Sequence, residues 1–161
     1  MNNFLVLVTG LGARVLAYDK YKANYTDGFV KECDMETIFG ETDILSLHVP
    51  LTHETNYLVD APYLDRFRKP IYLINTSRGK VVKTDDLVIK LKEGRVLGAA
   101  LDVIEYERKT LENLEQTPAD FRYLASCDNV IFTPHIAGWT HESQVKLAEV
   151  LVGKILERFS V

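Results

Sequence analysis

Short runs of consecutive apolar residues recur along the chain, and polar residues, glycine or proline follow them. The clearest run is Ile-Tyr-Leu-Ile at residues 71–74, which leads into Asn-Thr-Ser-Arg-Gly at 75–79. Short apolar runs of this kind are typical of buried strands in a parallel sheet. Further strands are predicted at 15–18, 44–49, 96–101 and 130–133, with weaker ones at 28–31 and at 4–8, where a helix end is the alternative.

Helix signals fall between these strands. Asp34 is placed to cap a short helix, and Thr84 to cap a longer one that stops at Gly94. The apolar residues of the last helix form one stripe, at positions 147, 148, 151, 152, 155, 156 and 159. The helices are predicted at 34–39, 62–67, 84–93, 119–125 and 140–159. Strands that alternate with helices predict an α/β fold with a parallel sheet.

The composition is that of an ordinary globular domain. The chain has 161 residues, 47% hydrophobic and 26% charged, which is enough for one domain with a core. Its net charge of −4 argues against binding to nucleic acid or to an anionic membrane surface. The apolar segment 4–8 is too short for a signal peptide or a membrane span, and Cys33 and Cys127 are isolated. We therefore expect a cytoplasmic protein with free thiols.

Gly10 and Gly12 suggest a dinucleotide-binding loop, but the pattern is incomplete. A third glycine is missing, and a strand is predicted almost at once, where such a loop needs a helix. We therefore reject this pair as a phosphate loop. Asp19, at the end of that strand, could accept hydrogen bonds from both ribose hydroxyls of an adenine dinucleotide and would repel the 2′-phosphate of NADP. A turn residue before Lys20 is the alternative reading of Asp19.

Three residues at predicted strand ends or just beyond them suit one reaction: Arg78, Glu107 and His135. Oxidation of a 2-hydroxy acid needs a group that binds the carboxylate, and the planar guanidinium of Arg78 is suitable, although a surface arginine in a turn is the alternative. The reaction also needs a base, and an imidazole titrates near neutrality. A neighbouring carboxylate, here Glu107, would stabilise the charged imidazole. The histidines lack the spacing of a helix-borne metal pair, so no metal is expected.

Four motifs follow one another in the chain. They are His48-Val49-Pro50-Leu51-Thr52 with Glu54-Thr55, then Asn75-Thr76-Ser77-Arg78-Gly79, then Gly98-Ala99-Ala100-Leu101-Asp102-Val103 with Glu107 beyond, and Thr133-Pro134-His135-Ile136-Ala137-Gly138. In order and spacing the chain resembles the D-isomer-specific 2-hydroxyacid dehydrogenases from about Leu11 to Phe159. The long excursion before His135 is similar to the D-lactate-dehydrogenase-like branch. The resemblance implies a Rossmann-type doubly wound sheet, NAD as cofactor, and a 2-hydroxy or 2-keto acid as substrate.

The resemblance also implies a role for each motif residue. Arg78 would bind the substrate carboxylate and carbonyl, and His135 would be the acid/base with Glu107 as its partner. Asp19 would hold the adenosine ribose. Arg78 and His135 would also contact the cofactor. The adenine side would be lined by Val49, Pro50 and Thr55, and the ribose and carboxamide near the nicotinamide would be contacted by Thr76, Ser77 and Asp102. Gly138 and Trp139 would flank the nicotinamide ring.

The chain also departs from the family. The family's first strand, its Gly-x-Gly-x-x-Gly loop and most of the helix that follows are missing. The separate substrate domain is missing too, so we interpret residues 1–161 as one partial NAD-binding domain. Arg108 follows Glu107 where the family usually has proline. In the strand order 3-2-1-4-5-6 the missing strand is central, so strand 15–18 should lack a neighbour that links it to strand 44–49. We expect weak or no dinucleotide affinity, and a homo-oligomer or self-association through exposed sheet edges.

Two other functions stay open from the sequence. One is a non-catalytic NAD-responsive binding module, like the dehydrogenase-like corepressors, which keep the fold and often the catalytic triad. The other is an inactive truncated fragment. Turnover of a 2-keto acid with NADH would separate the enzyme from both alternatives, and NADH binding would separate the alternatives from each other.

Overall fold

All strand pairs in the described residues, 8–106 and 118–159 of a computed structural model, are parallel. This confirms the predicted α/β class. The strands are β1 (Leu16–Ala17), β2 (Lys31–Glu32), β3 (Ile44–Leu47), β4 (Ile71–Asn75), β5 (Val96–Leu101) and β6 (Val130–Phe132). After a helix end at residues 8–10, the helices are α1 (Met35–Glu41), α2 (Ala61–Asp65), α3 (Thr84–Lys92), α4 (Ala119–Ala125) and α5 (His141–Phe159), and a 3-10 turn covers Gly79–Val81.

The strands form two sheets. β1 pairs with β2, while β3, β4, β5 and β6 follow one another in a four-stranded sheet. β1 and β3 are therefore not paired with each other. The sequence predicted this break in the sheet, because the strand that would lie between them in the family is missing. The ion pairs Arg14–Glu41 and Lys20–Glu54 connect the two-stranded unit to the rest at the surface.

The core lies on one face of the four-stranded sheet. Leu73 of β4 and Leu101 of β5 are buried in one apolar cluster with Leu64 of α2, Leu87 of α3 and Leu124 of α4. Alternate strand residues point to this face, because successive side chains of a strand point to opposite sides. The covered face fixes the positions of the strands and therefore of the loops that follow them.

The opposite face of this sheet carries large apolar side chains that stay exposed. Ile44, Tyr72 and Ile131 are 59%, 49% and 64% exposed. The prediction that strand 71–74 is buried along its whole length is therefore wrong for Tyr72. The predicted last helix is confirmed as α5, but its apolar stripe is exposed and the helix buries no residue. None of the described helices is both long enough and apolar enough to cross a membrane.

The segment before β1 is the end of a helix. Residues 8–10 are helical, so the strand predicted at 4–8 is wrong at Val8, where the alternative of a helix end applies. Residues 4–7 lie outside the described part of the chain.

Gly12 ends this helix with a φ of +82°, a conformation that glycine adopts without steric cost. Its N–H donates to the carbonyl of Thr9 at 2.9 Å, and the N–H of Ala13 donates to the carbonyl of Val8 at 3.2 Å. These two bonds are those of a Schellman motif. Gly10 and Gly12 therefore belong to a helix C-terminus, which is consistent with their rejection as a phosphate loop.

The helix caps are partly as predicted. Asp34 caps α1 and accepts a hydrogen bond from the N–H of Thr37 at 2.8 Å. Thr84 does not cap α3, because it is the first helical residue, and its N–H donates to the carboxylate of Glu105 at 3.3 Å. Gly94, with a φ of +71°, follows the end of α3 as predicted.

Candidate active site

The carboxyl ends of four parallel strands lie in one row. Leu47 of β3 pairs with Asn75 of β4, Asn75 with Leu101 of β5, and Leu101 with Phe132 of β6. The loops after these strands therefore open at the same edge of the sheet. Open α/β sheets bind their ligands at this edge.

A cleft of about 370 Å³ opens between the loops after β3 and β4. Its lining residues are His48, Val49, Pro50, Thr76, Ser77 and Arg78. All of them except His48 were predicted as site residues. The cleft thus brings two residues predicted for the adenine side together with three predicted to lie nearer the substrate.

Asn75 organises the turn that carries Arg78. Its buried Oδ1 accepts hydrogen bonds from the N–H of Ser77 at 3.1 Å and from the Ser77 hydroxyl at 2.8 Å. Its Nδ2 donates to the carbonyl of Arg78 at 3.1 Å. The Arg78 side chain is exposed, and its Nη1 donates to the carbonyl of Ser77 at 2.6 Å. The Ser77 hydroxyl therefore belongs to the turn itself.

The loop after β5 packs directly on the turn of Arg78. A Cβ atom on Gly79 would lie 2.0 Å from the carbonyl oxygen of Ile104, a distance that no side chain tolerates. Gly79 is therefore needed for close approach of the two backbones. This contact places the segment that follows Asp102 beside Arg78.

Glu105 fixes the same loop from its other side. Its carboxylate accepts hydrogen bonds from the Tyr57 hydroxyl and from the N–H of Thr84. The hydrogen bond to Glu105 raises the pKa of Tyr57 to about 12, so the phenol keeps its proton as donor at neutral pH. Glu107, the predicted partner of the catalytic imidazole, follows this loop and lies outside the described residues.

Asp102 gathers the loop that carries His135. Its Oδ1 accepts hydrogen bonds from the Thr133 hydroxyl at 2.6 Å and from the N–H of Ile136 at 2.9 Å, and its Oδ2 accepts one from the N–H of Ala137 at 3.0 Å. Burial opposes ionisation of Asp102, but these donors and the nearby His135 outweigh it and lower the pKa of the carboxyl. The predicted contact of Asp102 with the ribose and carboxamide stays a prediction.

His135 has a φ of +56°, which is uncommon for a residue with a side chain. Its N–H donates to the carbonyls of Asp102 and Thr133, both at 3.0 Å. Gly138 and Trp139 follow in the same loop, and both are exposed. Because β5 lies between β4 and β6, the loop of Asp102 stands between those of Arg78 and His135.

The loop after β3 is closed by Thr55. Its hydroxyl donates to the carbonyl of Pro50 at 2.6 Å, and its Oγ1 accepts from the N–H of Thr52 at 2.8 Å. Thr55 therefore shapes the segment that lines the cleft through Val49 and Pro50.

Asp19 lies at the end of β1, as predicted, and is exposed. Its Oδ1 accepts hydrogen bonds from the N–H groups of Tyr21 at 2.8 Å and Lys22 at 3.0 Å. The side chains of Lys20 and Tyr21 reach the loop after β3, where both donate to Oε2 of Glu54, at 2.8 Å and 2.6 Å. The hydrogen bonds from Lys20 and then Tyr21 lower the pKa of the Glu54 carboxyl.

Residues 2–137 match the protein family described as "D-isomer specific 2-hydroxyacid dehydrogenase, NAD binding domain". The chain belongs to this family. It is 42% identical over 123 residues to a glyoxylate reductase of Thermofilum pendens, a match that covers 76% of the chain and 34% of that protein. It is 35% identical over 150 residues to a hydroxypyruvate reductase of Thermotoga maritima, covering 93% of the chain and 46% of that protein.

Solved D-2-hydroxyacid dehydrogenases share the fold of the chain. The D-lactate dehydrogenase of Aquifex aeolicus, complexed with NAD and lactic acid, is similar with a TM-score of 0.78 and 32% identity. That similarity covers 96% of the chain and 51% of the dehydrogenase. The NAD-complexed enzyme of Lactobacillus delbrueckii has a TM-score of 0.82 at 31% identity, over 96% of the chain and 48% of the enzyme. The chain thus spans about a third to a half of the relatives it matches.

Several organising residues of this dehydrogenase domain were not predicted as site residues. Asn75 had a usable signal, because an amide at the end of an apolar run marks a polar strand end. Tyr57 and Glu105 are 48 residues apart, so their contact has no local sequence signal. Glu54 belongs to the first of the four motifs, but the sequence indicated no role for it.

Proposed function

We propose that this chain is the cofactor-binding part of an NAD-dependent D-2-hydroxyacid dehydrogenase, which transfers hydride between NAD(H) and a 2-hydroxy or 2-keto acid. The observation that carries the proposal is the row of strand ends with Arg78, Asp102 and His135 on neighbouring loops. In this proposal residues 1–161 form one partial NAD-binding domain, and a substrate domain belongs to the complete enzyme.

Arg78 binds the substrate carboxylate and carbonyl in the proposed reaction, since its guanidinium offers two parallel donors. The imidazole of His135 takes the hydroxyl proton during oxidation and returns it during reduction. Glu107 stabilises the charged imidazole. When bound, NAD accepts or supplies the hydride.

In this proposal the described residues contact NAD on its adenosine and nicotinamide sides. The Asp19 carboxylate suits the ribose hydroxyls. The other proposed contacts are Val49, Pro50, Thr55, Thr76, Ser77, Asp102 and Gly138. Residues 8–106 and 118–159 hold no glycine-rich turn from a strand into a helix N-terminus, the feature that supplies N–H groups for a pyrophosphate. We therefore expect weak or no NADH affinity, and little turnover, for the 161-residue chain alone.

A chimera tests the proposed reaction. It joins this chain to the remaining segments of the Thermofilum pendens glyoxylate reductase, and we expect it to oxidise NADH with 2-keto acids such as glyoxylate. Arg78→Lys should lower kcat/KM by about 10²-fold, because an ammonium cannot form a two-point contact with a carboxylate. Arg66→Lys, which alters an exposed ion pair with Glu36 on α1, is the matched control.

Unchanged kcat/KM in Arg78→Lys would contradict the assigned role. A chimera that binds NADH in calorimetry but turns over no 2-keto acid would favour the NAD-responsive binding module. If neither the chimera nor the chain binds NADH, the inactive fragment is the better description. Micromolar NADH affinity of the 161-residue chain, with turnover, would contradict the expected need for the missing loop.

We also propose that the chain forms homo-oligomers. The exposed sheet face around Tyr72 and Ile131 supports self-association, and so do the strand edges that residues 8–106 and 118–159 leave unpaired at the break. Sedimentation velocity over a range of concentrations measures it, and Ile131→Lys should shift the distribution toward monomer. A distribution that stays monomeric for the unmodified chain would contradict the proposal.

A cytoplasmic location is the last part of the proposal. Cys33 and Cys127 are both free thiols. Free thiols are the normal state in a reducing compartment. Alkylation of both cysteines in protein recovered from intact cells, without prior reduction, is the expected result, and a disulfide would count against this location.

A further inference from the structure

Glu54 connects the loop after β3 to the turn after β1. Its Oε2 accepts hydrogen bonds from the Lys20 ammonium at 2.8 Å and from the Tyr21 hydroxyl at 2.6 Å. Both donors directly follow Asp19, whose Oδ1 holds the same turn through the N–H groups of Tyr21 and Lys22. Glu54 is thus linked to the turn that carries Asp19 through the side chains of the two residues that follow Asp19.

A cation beside Asp19 would by itself favour NADP. In dinucleotide-binding folds, the acid at this strand end binds the ribose 2′-hydroxyl of NAD, whereas a nearby basic side chain accommodates the 2′-phosphate of NADP. Lys20 is next to Asp19 in sequence and carries a mobile ammonium, which suits a phosphate as a point charge. In the structure, however, this ammonium is bound by Glu54.

We propose that Glu54 is a cofactor-specificity residue: it keeps Lys20 away from the position of a 2′-phosphate and so favours NAD over NADP. The inference rests on the dinucleotide site of the proposed function. Asp19 repels a 2′-phosphate directly, and Glu54 withholds the cation that would offset this repulsion. The Tyr21 hydroxyl, bound to the same oxygen, fixes the position of the Glu54 carboxylate.

The expected effect is modest, because the side chains of Lys20 and Glu54 are 57% and 53% exposed. Exposed ion pairs are weak, so loss of this one should change relative affinities by about twofold to fivefold. The change should also decrease with added salt, since exposed charges are screened over about 10 Å at 0.1 M ionic strength.

The test is an NMR titration of the isotope-labelled 161-residue chain with adenosine and with adenosine 2′-monophosphate. Neither probe needs a pyrophosphate loop. Glu54→Gln keeps the size of the side chain and removes its charge. Glu41→Gln is the matched control, because it removes the same charge from the exposed ion pair with Arg14, which also connects the two-stranded unit to the rest of the described chain.

We expect Glu54→Gln to raise the affinity for adenosine 2′-monophosphate, relative to adenosine, by about twofold to fivefold. The double variant Lys20→Met/Glu54→Gln should lose this gain, and Glu41→Gln should leave the ratio unchanged. An unchanged ratio in Glu54→Gln overturns the inference, and so does an equal gain in Glu41→Gln. A gain that survives in the double variant also overturns it, because direct repulsion by Glu54 would then explain the result.

The titration separates this inference from the proposed function. If adenosine shifts the amide signals at the ends of β1 and β3 but no variant changes the ratio, the specificity role fails alone. If no variant binds either probe at millimolar concentration, the proposed dinucleotide site fails, and the inference fails with it.

Discussion

Two regions flank the proposed cofactor, and they are held together in different ways. The turns after β4, β5 and β6 are organised by buried polar side chains, above all Asn75 and Asp102, which are 1% and 5% exposed. The turn after β1 is organised by Asp19 and Glu54, which are both exposed. The proposed acid/base side is therefore built into the folded protein, whereas the adenosine side depends on contacts that water and salt weaken.

Asp102 and Asp19 can be compared directly, because both carboxylates accept hydrogen bonds from backbone N–H groups of a loop. Asp102 binds the loop after the neighbouring strand β6, and Asp19 binds the turn after its own strand β1. Asp102 has three donors, two from the backbone and one from Thr133, and at 5% exposure little access to water that could replace them. Asp19 has two backbone donors within its own turn, and water can replace both. Loss of the first carboxylate should therefore unfold a loop, and loss of the second should only change what binds there.

The largest effect is expected for His135→Gln in the complete enzyme. Loss of a general acid/base typically lowers turnover by about 10²–10⁴-fold. The pH dependence of kcat/KM that belongs to this step should disappear, while NADH affinity stays nearly unchanged. A collapse of NADH binding would instead indicate that His135 is structural.

The positive φ of His135 calls for a second variant at this position. Asparagine is among the residues that best tolerate this conformation, so His135→Asn relieves the strain that glutamine introduces. If the imidazole matters, both variants lose turnover alike. Recovery in His135→Asn alone would assign the loss to the backbone.

The next largest effect is expected for Asp102→Asn, measured as the free energy of unfolding in urea. The asparagine amide keeps one acceptor oxygen, but its NH₂ group would face a loop N–H group or hydroxyl that now donates to the Asp102 carboxylate. This loss should lower the free energy of unfolding by about 2–3 kcal/mol. Asp19→Asn is the matched control and should leave the unfolding midpoint almost unchanged. Equal losses in the two variants would contradict the distinction between the two regions.

The stabilisation that Asp102 provides should also depend on pH. The pKa of Asp102 is lowered in the folded chain, so its stabilisation is fully present above the unfolded aspartate pKa of about 3.9 and is lost as the pH falls through the folded value. The difference in unfolding free energy between the unmodified chain and Asp102→Asn should be constant near neutrality and shrink below about pH 4. A difference that persists at low pH would mean that the ionised carboxylate is not its source.

The sequence predicted the parallel strands and the edge at which the polar residues gather, because apolar runs and turn signals are local. It also placed Arg78 and Asp19 at strand ends. It could not predict that Tyr72 and the stripe of α5 stay exposed, since an apolar pattern says which side chains prefer burial and not whether a partner covers them. The strand predicted at 4–8 is wrong at Val8, which belongs to the helix end that was the alternative, because a run of five apolar residues fits both structures.

Within the candidate site, the sequence indicated the residues with charged or titratable side chains better than it indicated the residues that hold the loops. Arg78 and His135 have side chains whose chemistry suggests a role. Asn75 and Glu105 act through hydrogen bonds that only the folded chain brings together, and the predicted role of Asp102 as a cofactor contact did not anticipate that both its oxygens bind the loop of His135. Long-range polar contacts of this kind have no period or spacing in the sequence.

The smallest effect is expected for Asp19→Ala, measured as the ratio of NADH to NADPH affinity in the complete enzyme. Loss of the carboxylate removes the hydrogen bonds to the ribose hydroxyls and the repulsion of a 2′-phosphate, so NADH should bind more weakly and the gap to NADPH should narrow. We expect a change of about tenfold or less, because Asp19 is exposed and its partners are replaced by water. Asp27→Ala, which removes an exposed carboxylate with the same turn geometry before β2, is the control. Equal affinity of the unmodified enzyme for both cofactors would contradict the role of Asp19, and an equal change in Asp27→Ala would assign it to net charge.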